Sequence, residues 1–284
     1  VSVGRNAVSS GRMRLTAWLV LLLLCSNELQ ALHTTDSVKK HSTWFFSWGY
    51  TRAWYAKSTL HLTDLSSRYH TVSNTNHYYD LYFEKVTATD RPDFDKIRDV
   101  VNLTIPQFVF RLGCRLNAKW DFEFNYDHTK YIVNDYQSVR MHGQWFHKSI
   151  DTLIVLDPKK LLHFEHSDGA NFALFNAVRK IPILKNIKTG TVEWVIKTGV
   201  GFVYPRTDIT LFGERLNNKW HVAGVIAGLE SGLRYDFFKR WRMECCAKTS
   251  YANYSSCLVV GAGSGTARHK LLSAQVIATL GYCF

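Results

Sequence analysis

The sequence predicts an all-β chain closed into an antiparallel transmembrane barrel of about eight strands, and three observations lead there. After residue 32 hydrophobicity alternates with period two again and again, and no stretch of helical period breaks the pattern. The alternating segments run to about a dozen residues, roughly twice a sandwich strand. The chain also carries 9 Trp, 14 Tyr and 17 Phe, with Trp120, Trp220, Trp241 and Tyr282 at strand ends, where interfacial girdles belong. Alternation alone would suit a water-soluble sandwich, because it does not say which face is the interior. Strand length and the placing of the aromatics tip the choice.

The chain begins with a segment of another kind. Between Met13 and Ala31, Arg14 precedes an apolar run from Ala17 to Cys25 that is too short to span a bilayer, followed by polar residues. This pattern predicts a cleaved signal peptide, with Val1 to Arg12 as upstream sequence and the mature chain starting near Leu32. Residues 1–31 are therefore set apart, 32–43 read as a short segment leading into the barrel, and 44–284 read as the barrel. Without residues 1–31 the chain has 32 basic and 22 acidic residues, net +10. Such a balance often marks a nucleic-acid binder, but export argues against that partner. Five cysteines remain (114, 245, 246, 257, 283), an odd number without CxxC or Cys/His metal spacing. Export would permit a bond such as Cys246 to Cys283, though barrel strands need none.

Each strand has its own pattern. Phe46, Trp48, Tyr50 and Trp54 alternate with Ser47, Gly49, Thr51 and Ala53. Phe108, Phe110, Leu112 and Cys114 alternate with Gln107, Val109, Arg111, Gly113 and Arg115. Only Asn117, Ala118 and Lys119 separate that strand from Trp120, Phe122, Phe124 and Tyr126, which face away from Asp121, Glu123, Asn125 and Asp127, so the two form a tight hairpin. Downstream, Val192, Trp194 and Ile196 oppose Glu193 and Lys197; Leu229, Leu233 and Tyr235 oppose Glu230 and Arg234; Trp241, Met243 and Cys245 oppose Arg242, Glu244 and Lys248.

Connection length then tests the topology, since such barrels have short turns on one side and long loops on the other. With 117–119 and 236–239 as short turns, 56–103, 134–170, 204–218 and 253–268 fall on the opposite, external side. The predicted strands are 44–55, 104–116, 119–133, 171–180, 191–203, 219–235, 240–252 and 270–284. Tyr78 to Ala88 and Leu161 to His166 also read as strands, placed as hairpin extensions of external loops; counted as spanning they would make ten.

The signal peptide, the dyad repeats, and a closing strand with Tyr282 and Phe284 together resemble the Gram-negative outer-membrane barrels, in particular the small eight-stranded OmpA type. The stretches from Phe46 to Tyr55 and from Phe164 to Gly169 are similar to uncharacterised barrels of Bacteroidota and related bacteria. The resemblance implies an outer-membrane location, contact with outer-membrane lipids and lipopolysaccharide, and recognition of Tyr282 and Phe284 as an assembly signal by the barrel-assembly machinery.

An eight-stranded barrel has an interior just wide enough to be filled by side chains. The inward-facing charges Arg111, Arg115, Lys197, Arg234, Arg242 and Lys248 stand against Asp121, Glu123, Asp127, Glu193, Glu230 and Glu244. That even balance predicts ion pairing across the lumen, because an unpaired buried charge would cost several kcal/mol; a narrow channel is the competing reading. Glu165, His166 and Asp168 form the one local cluster with acid-base chemistry. It resembles half of the site of omptin proteases, which are ten-stranded barrels with a further pair of aspartates, but Ser167, Asp168 and Gly169 also suit a turn. His61, His70 and Ser73 in the first external loop would be available to an enzyme acting on lipid A. Asn102 to Thr104 and Asn253 to Ser255 match a glycosylation pattern, and Gly261, Gly263 and Gly265 form a loop tip, not a phosphate cradle. No cofactor or metal site is expected from spacing. The predicted role is structural or interactive, exercised through large external loops, with catalysis as the runner-up.

Overall fold

The computed structural model describes residues 44–65, 69–70, 75–76, 78–90, 107–166, 168–187, 190–217, 219–259 and 265–284. The expected signal peptide, the 32–43 segment, Ser73, Asn102 to Thr104, Ser167, Gly261, Gly263 and the side chain of His70 lie outside the described residues.

Eight antiparallel strands close into a ring: β1 (Trp44–Tyr55), β2 (Phe108–Arg115), β3 (Trp120–Asp127), β4 (Phe172–Ile187), β5 (Gly190–Val203), β6 (Gly224–Phe237), β7 (Trp241–Leu258) and β8 (Thr266–Cys283). Each pairs with the next in that order. β8 returns to β1, with Phe45 opposite Cys283 and Tyr55 opposite Ser273, so the wall has no free edge. Eight strands, not ten, make the wall. Several expected boundaries move; β3 stops at Asp127 instead of 133, and β6 runs from Gly224 to Phe237 instead of from 219 to 235. β4 continues to Ile187 instead of stopping at 180, because Pro182 is accommodated where the ladder with β5 slips its register between Pro182 and Leu184. β7 and β8 run through 253–258 and 266–269, so the external loop expected there is shorter; polar residues such as Asn253, opposite Lys270, pair in a ladder instead of looping.

The wall is inside-out relative to a soluble protein. Trp48, Leu112, Phe122, Phe175, Val200, Leu229, Leu233, Val276 and Leu280 are exposed on the outer face, while Arg111, Asp121, Glu123, Asp127, Lys197, Arg234 and Lys248 are buried inside. An apolar surface of this extent is the surface of a protein solvated by hydrocarbon. The aromatics mark its two limits. At the short-turn rim Trp241 packs edge-on against Tyr282 (ring centroids 5.5 Å apart), and the Arg240 guanidinium donates to the Tyr282 hydroxyl (2.9 Å). The Phe284 amide donates to the Trp44 carbonyl, tying the last residue to the first strand. At the opposite rim Tyr204 stacks on Trp220.

Beyond that external rim the excursions are ordered. On one side Ser58–Asp64 pairs with the start of β8 and with Tyr79–Val86, which pairs with Ser138–Trp145, which pairs with Lys148–Val155. On the other, Ala88–Thr89 joins β1 to Tyr131–Val133, followed by Leu162–His166, Asp208–Leu211 and Glu214–Asn217. Tyr78 to Ala88 and Leu161 to His166 thus extend external excursions, as expected. The hairpin Asp208–Leu211/Glu214–Asn217 was not expected, since four-residue strands are too short to show a period. Both runs of strands continue the wall as one sheet and share one apolar cluster, including Leu60, Leu81, Phe83, Met141, Phe164, Ile209 and Leu271. The interior therefore changes along the axis, from charged between the rims to apolar above them.

Candidate functional site

Period two turns every second residue of a strand inward, and the eight strands place their charges at a common level. Lys197 on β5 sits at the centre: its Nζ lies 2.8 Å from Glu123 Oε1 and 3.2 Å from Glu230 Oε1, and it also pairs with Glu244. Arg234 donates from Nε to Glu244 Oε2 and from Nη1 to Asp121 Oδ2, both at 2.7 Å. Arg111 Nη1 and Lys248 Nζ share Asp127, each at 2.5 Å. Arg242 makes a bidentate pair with Asp236 (2.7 and 2.8 Å).

Of the expected lumen charges, Arg115 and Glu193 lie nearer the short-turn rim and are only partly buried; Arg115 reaches Asp236 at 4.0 Å. Two partners escape the sequence reading: Lys180, which is buried, and Asp236, which is half-buried. Lys180 pairs with Asp121 but closes the strand 171–180, whose faces the sequence does not separate. Asp236 falls in the predicted turn 236–239, whereas β6 carries it on to Phe237. Phe45, third of the missed residues, points inward under the guanidinium groups of Arg242 (4.2 Å to the ring centre) and Arg234 (5.5 Å). Gly113 makes room for it: a Cβ there would lie 2.2 Å from the Phe45 ring. Six basic side chains (Arg111, Lys180, Lys197, Arg234, Arg242, Lys248) and six acidic ones (Asp121, Glu123, Asp127, Glu230, Asp236, Glu244) form this lattice. Glu230, Glu244 and Cys246 approach one another closely enough for a cation, but the Lys197 ammonium already holds both carboxylates.

The structure does not assemble Glu165, His166 and Asp168 as an acid-base site. Their partners diverge because consecutive strand residues face opposite ways and the chain then turns. His166 is fully buried, with its Nε2 3.2 Å from His269 Nε2 and its Nδ1 3.2 Å from the Thr207 hydroxyl. Glu165 lies 3.6 Å from His163, and Asp168 accepts from Arg206 (2.6 Å). The turn itself is built from Gly169, with φ +99°, and from the Asn171 side chain, which donates to the carbonyls of Asp168, Gly169 and Tyr204. Among the described residues every cysteine is a free thiol, Cys246 and Cys283 included.

Outside the rim, the His61 ring stacks on Tyr82 (3.9 Å between centroids) and Tyr82 on His142 (5.0 Å), one ring from each of three adjacent strands. Asp80 Oδ1 accepts from His61 Nε2 at 2.6 Å, and Glu84 stands 3.1 Å from His142 Nε2. Arg140 and Asp151 form an exposed bidentate pair beside them. His163, between Glu165 and Asp135, has its pKa raised from 6.5 to about 9 by the Glu165 carboxylate and by Asp135, which accepts from its Nδ1 at 2.8 Å, against the effect of burial. A further buried anchor, Asp90, accepts from the Ala53 amide (2.8 Å) and pairs with Arg52, fixing the return of the first excursion to β1. A lone Asp in a long connection carries no sequence signal of that role.

No protein-family model matches the chain, and no curated protein matches it in sequence. Among solved structures the chain is similar to the outer membrane protein OprG from Pseudomonas aeruginosa (10% identity, 88% of this chain and 99% of that one covered, TM-score 0.40). It is also similar to Neisserial surface protein A (9% identity, 84% and 97% covered, TM-score 0.35), and to the outer membrane protease OmpT from Escherichia coli (8% identity, 89% and 99% covered, TM-score 0.24).

Proposed function

We propose that this chain is an integral protein of a Gram-negative outer membrane that acts by contact through its external strands, with a lumen filled by its own side chains. The observation that carries this reading is the division of labour along the axis. Between the rims, buried charges pair with one another instead of lining a water path; above them, the excursions extend the sheet around an apolar cluster. Long loops that served only to join strands would have no need of such a core. The ordered row His61–Tyr82–His142, bordered by carboxylates and by Arg140, supplies stacking faces and hydrogen-bonding groups of both kinds, as a sugar-bearing surface such as lipopolysaccharide would require. Exposed Lys148, Lys159 and Lys160 on the same external side add positive charge toward an anionic leaflet.

The test is binding of purified lipopolysaccharide to the refolded barrel in neutral-lipid nanodiscs, compared with Tyr82→Ala. Saturable binding that weakens in the variant supports the reading. Equal binding by both proteins, or none by either, rejects the external row as the contact. The catalytic alternative predicts cleavage of a peptide panel or a change in acylation that disappears in His166→Ala.

A further inference from the structure

Three residues far apart in sequence meet at the boundary between the charged lumen and the apolar cluster: His166 at the end of the Leu162–His166 strand, Cys257 on β7 and His269 on β8. Their ligand atoms lie within 4.8 Å of one another, and all three side chains are buried. We infer that they form a site for a soft metal ion, monovalent copper, bound by two imidazole nitrogens and one thiolate.

The imidazoles are already arranged as ligands. Their Nε2 atoms face each other at 3.2 Å. Two nitrogens bound to one metal at a length of about 2.0–2.1 Å in a three-coordinate set stand about 3.5–3.6 Å apart, so the ion enters once the rings part by a few tenths of an ångström. Only one of the facing nitrogens can carry a proton between them, whereas two neutral imidazoles protonated at Nδ1 turn both Nε2 lone pairs toward a metal. The Thr207 hydroxyl on His166 Nδ1 orients that ring from behind, as an outer-shell partner of a metal ligand does.

The backbone is also bent to the purpose. β7 and β8 pair regularly up to Tyr254 opposite His269, then the register shifts before Cys257 pairs with Ala267. By strict alternation Tyr254 and Cys257 would face opposite sides; the bulge turns both inward, so the thiol reaches the two histidines. The Tyr254 ring stacks on His166 (5.0 Å) and on His269 (4.5 Å) and holds the imidazoles in place.

Charge and surroundings select the ion. Tyr131, Tyr254 and Phe164 surround the histidines with aromatic faces. Monovalent copper with one thiolate and two neutral imidazoles is an uncharged complex, which an apolar setting tolerates; a divalent ion with the same ligands would keep a positive charge there. A thiolate with two imidazoles in a three-coordinate set also matches the preference of copper, whereas zinc would call for a fourth ligand.

The test uses the refolded full chain in detergent under anaerobic conditions, titrated with monovalent copper against a chromophoric chelator and, separately, with zinc. The expected result is one copper per chain, held more tightly than zinc. Cys257→Ser and His269→Ala each weaken it by more than about 100-fold, the upper end of what losing a mere outer-shell partner costs, while Cys245→Ser on the outer wall leaves it unchanged. Should either ligand variant fail to fold, X-ray absorption of the copper-loaded wild type decides, with two nitrogens and one sulfur expected around the metal. Absence of binding, tighter binding of zinc, retention in both ligand variants, or a shell lacking sulfur overturns the inference.

Discussion

Replacing Lys197 by Met tests the lumen most directly. The ammonium group is buried and faces Glu123, Glu230 and Glu244, so the neutral side chain of similar length leaves three carboxylates around a site with no cation of its own. Arg234 and Arg111 still reach some of these oxygens, but at 3.7–3.8 Å for Glu123 and Glu230. Removing one partner of a buried pair costs about 3–5 kcal/mol, and that is the expected loss for Lys197→Met. Glu230 provides an internal control, because neither of its oxygens accepts a hydrogen bond and its contacts are ionic only. Adding Glu230→Gln to Lys197→Met restores the charge balance and should recover at least about 1 kcal/mol, a coupling that only residues in one network show. Urea unfolding from lipid vesicles, followed by tryptophan fluorescence, measures all four proteins of the cycle. A Lys197→Met variant within about 0.5 kcal/mol of wild type would refute the reasoning: the lumen charges would then be solvated, and their pairing would hold nothing together.

Other expectations follow from the same physics. Leu229→Arg, on the outer face where β6 lies between Thr198 and Thr249, should destabilise the barrel in vesicles by about 2–4 kcal/mol, measured by the same unfolding transition. His163 has a folded pKa of about 9 against 6.5 unfolded, so its stabilisation is fully present below pH 6.5 and is lost as pH rises through about 9. His163→Gln should accordingly melt below wild type at pH 6, and the two should converge at pH 10. Arg140→Ala breaks an exposed pair with Asp151 and should leave the melting temperature where it was. In planar bilayers the wild-type barrel should give no stable open current; a steady single-channel conductance would contradict the filled lumen.

How much of this was legible in advance depends on the range of the forces involved. Alternation is local, so Trp120 to Asp127 announced both a strand and its two faces, and the short turn after Arg115 announced its partner. Strand count followed from connection parity, which is also a property of the chain order. Boundaries were harder where a residue's local preference opposes its tertiary place: Pro182 sits inside β4 because a register shift absorbs it, and Asp236 is a lumen partner although Asp favours turns. The cluster of Glu165, His166 and Asp168 looked like chemistry because the residues are adjacent, yet adjacency in a strand separates side chains.

The sequence by itself determined the class of fold, the polarity of the wall and most of the charges that fill it, because period-two patterning assigns each side chain to a face before any strand finds its partner. Only the tertiary structure decided which charges pair, that the external excursions share an apolar cluster, and that His166, Cys257 and His269 converge. Those are meetings of residues separated by long stretches of chain, set by the closure of the ring and by one bulge in β7, and no local pattern encodes them.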